Sequence, residues 1–349
     1  MTAKAFTMNR QWLGLRLFAL AIIAGAAMLA ACGSAASQPS QLIKIKVANP
    51  SVAAPGAILQ VTKDAGLFEK NGLDVDLQVI NGAPELLAAL LSGDISIAMQ
   101  GSPAILQAQI SGANIVMFAG AVNTTFFSIF SRPEIKTVPD LKGKKVGSTP
   151  GGGNDQSTVN LVLARYGLKP TDVQVINLPQ QNRIQALQNG AVDAIAITEP
   201  YTYAARKLGI NELIDVSALN LAYQSSAFVT TKPYLRDHRD VVVRFLRSLT
   251  EGIKFYKTNR EASENSLAAF TKLDDPGALD ETWQAFALKF TSKVPDLSIP
   301  GLQYVIDNSI DDPKAKGRKA EEFIDRSLIQ QLDDEGFFRS LYGDNTGGV

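Results

Sequence analysis

The sequence predicts an α/β fold built as two lobes of similar design. Three observations lead there. Short strand-like runs alternate with amphipathic helical runs through the first two thirds of the chain, which implies right-handed crossovers and a mostly parallel sheet. The chain has 349 residues, about twice a typical domain. Ala89-Leu90-Leu91-Ser92-Gly93 and Ala186-Leu187-Gln188-Asn189-Gly190, 97 residues apart, each close a helix and lead into a short apolar strand.

The elements follow in order. Residues 42–48 alternate apolar side chains with lysine, the period of a half-exposed strand. A helix over about 56–70 stops at Asn71-Gly72. Residues 73–80 alternate again, 85–92 are helical, and Gly93 suits a left-handed C-cap. A buried strand over 95–99, a helix over 103–111 and a strand over 114–121 complete this half. After 126–131 the pattern restarts. A turn at 139–143 precedes a strand at 144–148, a helix at 154–166, a strand at 173–178, a helix at 183–189 and a strand at 194–198. The last third is mostly helical and packs on a lobe already formed. There Thr258-Asn259-Arg260-Glu261 matches a capping box. Asp275-Pro276 sets an N-cap acid before a first-turn proline, opening a helix on which Trp283, Phe286 and Phe290 share a core face. Further helices are expected at 302–310 and 320–334.

The N-terminus reads as an address. Residues 1–31 hold Lys4, Arg10 and Arg16 and no acid, and 17–31 run fifteen residues without a charge. That is shorter than the ~20 apolar residues of a spanning helix, and the flanks fit a secretory signal peptide. Leu29-Ala30-Ala31-Cys32-Gly33 resembles a bacterial lipobox, in which a peptidase cuts before the Cys and the thiol carries a diacylglycerol. The expectation is a signal peptide over 1–31 and a lipidated, polar tether over 32–41. The mature chain would then be anchored through Cys32 on the outer, periplasmic or extracellular, face of the cytoplasmic membrane. The alternative, a buried structural Cys, fits poorly at the end of an apolar run.

Composition excludes several functions. Lys+Arg and Asp+Glu are 34 each, and without the leader 31 basic residues face 34 acidic ones. A mildly acidic body gives no reason to expect nucleic-acid binding. One Cys and one His exclude an intramolecular disulfide and a Cys/His zinc cluster. His238 sits among Arg236, Asp237, Arg239 and Asp240, a solvated run rather than a catalytic base. With no nucleophile elbow, metal set or acid–base constellation, neither catalysis nor a cofactor nor a metal is expected.

Several stretches taken together point to one family: Ala65-Gly66-Leu67-Phe68-Glu69-Lys70-Asn71-Gly72-Leu73, then 85–93 with 95–103, Asp140-Leu141-Lys142-Gly143-Lys144-Lys145-Val146-Gly147, and 186–200. This ordered set resembles the ABC-transporter solute-binding proteins of the nitrate, sulfonate, taurine and thiamine-pyrimidine branch. The resemblance implies a two-lobed periplasmic-binding-protein fold with two crossover segments and a helical C-terminal extension. By that analogy lobe I is 42–132 plus 222–349 and lobe II is 133–221, with crossings near 126–133 and 219–230. It further implies a monomer that captures a small organic anion, sulfonate-like, in an interlobe cleft and hands it to a membrane permease. A pyrimidine or other heteroaromatic precursor as ligand, or a ligand-sensing lipoprotein, are the alternatives. A pyrimidine-making relative uses a Cys-rich motif and an active-site His, and this chain has neither.

Ligands of open α/β sheets sit beyond the carboxyl ends of strands. Five loops qualify: 49–55 with Ser51, 100–103 with Gly101 and Ser102, 148–155, 178–183 with Gln181, and Glu199-Pro200-Tyr201. The glycine loop is the strongest signal. Gly151, Gly152 and Gly153 bare the backbone before a helix start at Asn154, and Ser148 and Thr149 add hydroxyls, an arrangement suited to an oxyanion without Lys or Arg. A plain strand-to-helix turn is the other reading, and the resemblance favours ligand contact. Asp155 argues against an anion unless it points away. Ser102 is a ligand hydroxyl or a helix cap, and Arg183 an anion partner or, preferably, a solvated helix-face residue. Glu199 either accepts from a ligand N–H or fixes the hinge. Tyr201, Tyr203 and Tyr223 stack on a ring or brace the hinge, while Gln224 and Ser225 reach the cleft from the return crossing. Phe126 and Phe127 are expected in the core.

Overall fold

Alternation along each strand decides how the chain layers. In the computed structural model, which describes residues 2, 41–149 and 153–344, Ile97 and Met99 point into one apolar cluster and Ala98 into another. Ala194 and Ala196 part from Ile195 and Ile197 in the same way. Strands buried on both faces belong to sheets covered by helices on both sides.

The described strands make two five-stranded sheets. They are β1 (Ile43–Asn49), β2 (Leu73–Val79), β3 (Ile97–Gly101), β4 (Ile115–Val122), β5 (Ser128–Ser131), β6 (Lys145–Ser148), β7 (Gln174–Asn177), β8 (Ala194–Ile197), β9 (Asn211–Asp215) and β10 (Ser226–Thr231). The orders are β2-β1-β3-β10-β4 and β7-β6-β8-β5-β9. Both follow one plan: three parallel strands, then an antiparallel strand arriving from the other half of the chain, then an outer strand. This is the α/β architecture expected, with a correction at the crossings. Ser128–Ser131 pairs with β8 and β9 and so belongs to the second sheet, while Ser226–Thr231 is already a strand of the first. The crossings therefore contract to 123–127 and 220–225, because backbone leaving one sheet pairs at once with the next.

Helices α1 (Ala57–Asp64), α2 (Leu67–Lys70), α3 (Ala83–Ser92) and α4 (Ser102–Ile110) serve the first sheet; α5 (Asn154–Arg165), α6 (Gln180–Gln188) and α7 (Tyr201–Lys207) serve the second. The single helix expected over 56–70 breaks at Gly66, whose φ of 67° is left-handed. The internal repeat is real: α3 and β3 recur as α6 and β8.

The tail supplies α8 (Lys232–Asp237), α9 (Arg239–Thr258), α10 (Arg260–Thr271), α11 (Pro276–Trp283), a π-helical turn at Gln284–Phe290, α12 (Ile299–Ser309), α13 (Ser327–Asp334) and α14 (Phe337–Tyr342). On α9 Val242, Phe245, Leu249, Ile253 and Tyr256 form a buried stripe at helical spacing. Phe245 meets Phe68 at 5.7 Å and Phe228 at 5.6 Å between ring centroids, fixing α9 on the first sheet. Asp275 caps α11 as expected, accepting from the backbone N–H of Gly277 and Ala278. The capping box at 258–261 does not form. Helix α9 runs through Thr258, whose hydroxyl donates to the Lys254 carbonyl instead. Residues 320–334 hold a short 3-10 turn and α13 rather than one helix, and Ile324 between them bridges to Met117. Among the described residues no helix is long and apolar enough to cross a membrane. The proposed signal peptide, Cys32 and its tether lie outside the described residues.

Candidate functional site

Loops at the carboxyl ends of β1, β2 and β3 face those after β6 and β7 across a cleft of about 470 Å³. Four helices begin at its walls. The residues preceding α3, α4, α5 and α6 are Gly82, Gly101, Gly153 and Pro179; all line the cleft, and none caps its helix with a side chain. Their positive dipole ends are thus turned to the cavity, although the Ser102 N–H of α4 donates to the Ser225 carbonyl and Pro84 and Pro103 carry no N–H. The start of α3 is already answered: Glu85 folds back so closely that a Cβ on Gly82 would lie 2.2 Å from its carboxylate. The starts of α4 and α5 meet across the cleft. A Cβ on Gly101 would stand 3.3 Å from the Asn154 backbone nitrogen, an approach that glycine eases.

Three lining side chains carry buried polar atoms without a partner among the described residues: Gln100 Nε2, Asn154 Oδ1 and Ser226 Oγ. Gln100 holds its Oε1 on the Gly101 N–H at 2.6 Å, which leaves its amide nitrogen free to donate. Each such group costs about 1–3 kcal/mol until something pairs with it. The apolar wall is Met99 with Phe126 and Phe127, stacked at 4.6 Å. Phe126 also meets Phe286 of the π-helical turn at 5.5 Å. The two phenylalanines are buried, as expected, yet they also face the cavity.

Asp155 lines the cleft beside Thr149. Its Oδ2 accepts the Thr149 N–H at 2.8 Å and lies 2.6 Å from a guanidinium nitrogen of Arg183. Arg183 is wholly buried, correcting its expected place on a solvated face. It also donates to the Leu178 and Ala196 carbonyls and to Thr149 Oγ1. On α6 the buried residues are Gln180, Arg183, Ala186 and Leu187, one helical stripe.

The structure brings Ser51, Gly101, Thr149, Gly153 and Asn154 to the cleft; Gly151 and Gly152 lie outside the described residues. Ser102 and Ser148 are buried behind the lining with unpartnered hydroxyls. Gln181 is exposed off the stripe, and its neighbour Gln180 lines the cleft in its stead. Gln224 and Ser225 hold the crossings together. Gln224 Nε2 donates to the Val122 and Ser226 carbonyls, and Ser225 Oγ to the Thr124 carbonyl. Glu199 and Tyr201 tie the sheets together beside the cleft: the Ala54 N–H donates to the Glu199 carbonyl, and the Tyr201 hydroxyl to the Val52 carbonyl. The Glu199 carboxylate accepts from the Tyr203 N–H and faces Arg206 at 3.4 Å. Burial pushes its pKa up from the usual value, with the nearby Glu281 adding to the rise. Tyr223 is buried against Ser309, and His238 is exposed, as expected, with its ring against Tyr234. Sequence reasoning missed the loop 81–85, although Asn81-Gly82 followed by Pro84 after β2 satisfies the same carboxyl-end rule. Among the described residues no cluster of His, Cys, Asp or Glu could hold a metal ion.

A family model described as NMT1/THI5 like matches residues 56–263. A protein of Escherichia coli K12 named "putative aliphatic sulfonates-binding protein" is 31% identical, over 55% of this chain and 61% of its own. The taurine-binding periplasmic protein of the same organism is 25% identical over 69% and 74%. The alkanesulfonate-binding protein of Xanthomonas axonopodis pv. citri, solved bound to MOPS, superposes with a TM-score of 0.64 at 23% identity, covering 78% of this chain and 93% of that one. That superposition shows the two-lobed periplasmic-binding-protein fold.

Proposed function

The chain belongs to the NMT1/THI5-like family, and from that premise we propose that it is the extracytoplasmic solute-binding component of an ABC importer, capturing a small organic anion of sulfonate type. The observation that carries this is the convergence of helix starts without side-chain caps, with unpartnered amide and hydroxyl groups, on one cleft. An oxyanion head fits against the start of α5, accepting from its backbone N–H groups and from Gln100 Nε2, with the positive end of the α4 dipole facing it. An organic body fits against Met99, Phe126 and Phe127. The head would pair with the Gln100 amide and the Ser226 hydroxyl, donors that are otherwise costly to bury. The two halves close on the solute by bending at the paired crossings, and the solute favours the closed form because only there do both sets of helix starts reach it. The closed form then docks on a permease as a monomer and releases the solute unchanged. Names of relatives that bind sulfonates and taurine support the ligand class.

A second reading, a neutral heteroaromatic ligand, rests on the stacked phenylalanine pair and the cleft amides. Anchorage rests on the basic, then apolar, run ending in Cys32. One experiment addresses both: mass spectrometry of the protein purified in detergent from its host. Native spray is expected to release an anion from the cleft, and denaturing spray to give a chain beginning at acylated Cys32. A neutral ring compound would favour the second reading. A chain with an unmodified Cys32 would remove the anchor.

A further inference from the structure

The cleft presents a puzzle for an anion: the one lining carboxylate on its α5 wall, Asp155, sits in the first turn where an oxyanion would be held. No Lys or Arg side chain is among the lining residues. The answer lies one layer back. We propose that Arg183 sets the charge preference of the cleft without touching its occupant, acting as a buried counter-cation that cancels Asp155 and leaves the α5 helix start positive. This rests on the reading of the cleft as an anion site.

The geometry carries it. Arg183 is fully buried and does not line the cavity, so it is no direct ligand. Its Nη2 reaches both Asp155 Oδ2, at 2.6 Å, and Thr149 Oγ1, at 2.8 Å, the two lining residues that bracket the glycine loop. Its Nε and Nη1 are fixed on the Leu178 carbonyl just past β7 and the Ala196 carbonyl within β8, the two strands that flank β6. A guanidinium fork held on several sides cannot swing into the cleft. The Asp155 carboxylate is in turn spent on Arg183 and the Thr149 N–H. Arg183 is therefore a positioning residue with an electrostatic effect on the site.

A scaffold role and a charge role differ in sign. Ethanesulfonate affinity is measured by calorimetry for the wild type, Arg183→Met, Asp155→Asn and the double variant. Arg183→Met should weaken binding by roughly tenfold or more, because it uncovers a carboxylate in a poorly solvated site. Asp155→Asn should bind as tightly as the wild type or tighter, and the double variant should recover to within a few-fold. Both single variants weakening binding alike, with no recovery in the double, would overturn the proposal. A second readout needs no ligand and covers variants that bind nothing. Tryptophan is placed in the cleft as Phe127→Trp, and quenching by iodide is compared with quenching by caesium, after subtracting the signal of the Phe127 parent. Arg183→Met should shift the ratio toward caesium and Asp155→Asn toward iodide. An unchanged ratio defeats the counter-charge. Correct ratios with no sulfonate binding would instead defeat the anion reading and leave the counter-charge standing.

Discussion

Glu199 stands where the two sheets touch, buried and facing both Arg206 and Glu281. Burial raises its pKa above the usual 4.5, so the folded chain holds that proton more tightly than the unfolded one. The stability this confers is whole below pH 4.5 and is lost as pH rises through the folded value. Glu199→Gln stays neutral and escapes that loss. Relative to the wild type, the variant should gain stability between about pH 4 and about pH 7 in denaturant titrations; an identical difference at both ends would contradict the burial argument. At this scale the sequence was only partly legible. Arg183 shares a helical stripe with Ala186 and Leu187, a sign that it is buried. Its charge argued the opposite, since a lone Arg is seldom buried without a partner, and that partner, Asp155, lies in the first turn of α5, which no local pattern connects to it.

Elements were read best where burial is periodic. The alternation of β1 and β2 and the recurrence of α3–β3 as α6–β8 were visible because each strand's pleat and each helix's stripe repeat locally. What failed were breaks decided by tertiary packing: the interruption at Gly66, the helix running through Thr258, and the 3-10 turn before α13. Helix contact also sets local demands that a lone sequence hides. Gly252 of α9 faces Thr62 of α1, and a Cβ there would stand 2.0 Å from the Thr62 hydroxyl oxygen, itself bound to the Ile58 carbonyl. Gly252→Ala therefore trades better helix propensity for overpacking and should lower stability by about 1–3 kcal/mol. Partial recovery in Thr62→Ala/Gly252→Ala would locate the cause. Equal or greater stability of the single variant in thermal unfolding would show that α1 and α9 have room to part.

Over the whole molecule, the reciprocal exchange of one antiparallel strand makes each sheet depend on the other half of the chain. Strand β5 enters the second sheet straight from the first crossing, and β10 returns to the first straight from the second. The crossings are stitched side by side: Ser225 N–H donates to the Val122 carbonyl, and the Thr125 hydroxyl to the Val216 carbonyl. On the same flank as Glu199, Arg206 pairs with Glu281 and Lys207 with Asp275, so α7 and α11 are joined by charges at both ends of α11. Such exposed pairs are worth little in water, so under the proposed function the solute supplies the main bias on closure. Titration calorimetry of purified protein with a series of alkanesulfonates, repeated at rising salt, tests that claim most directly. The expected result is one saturable site per chain, weakened by salt, with the sulfonate recovered intact afterwards. Absence of saturable binding by any sulfonate, or a sulfonate consumed during the titration, would contradict the account.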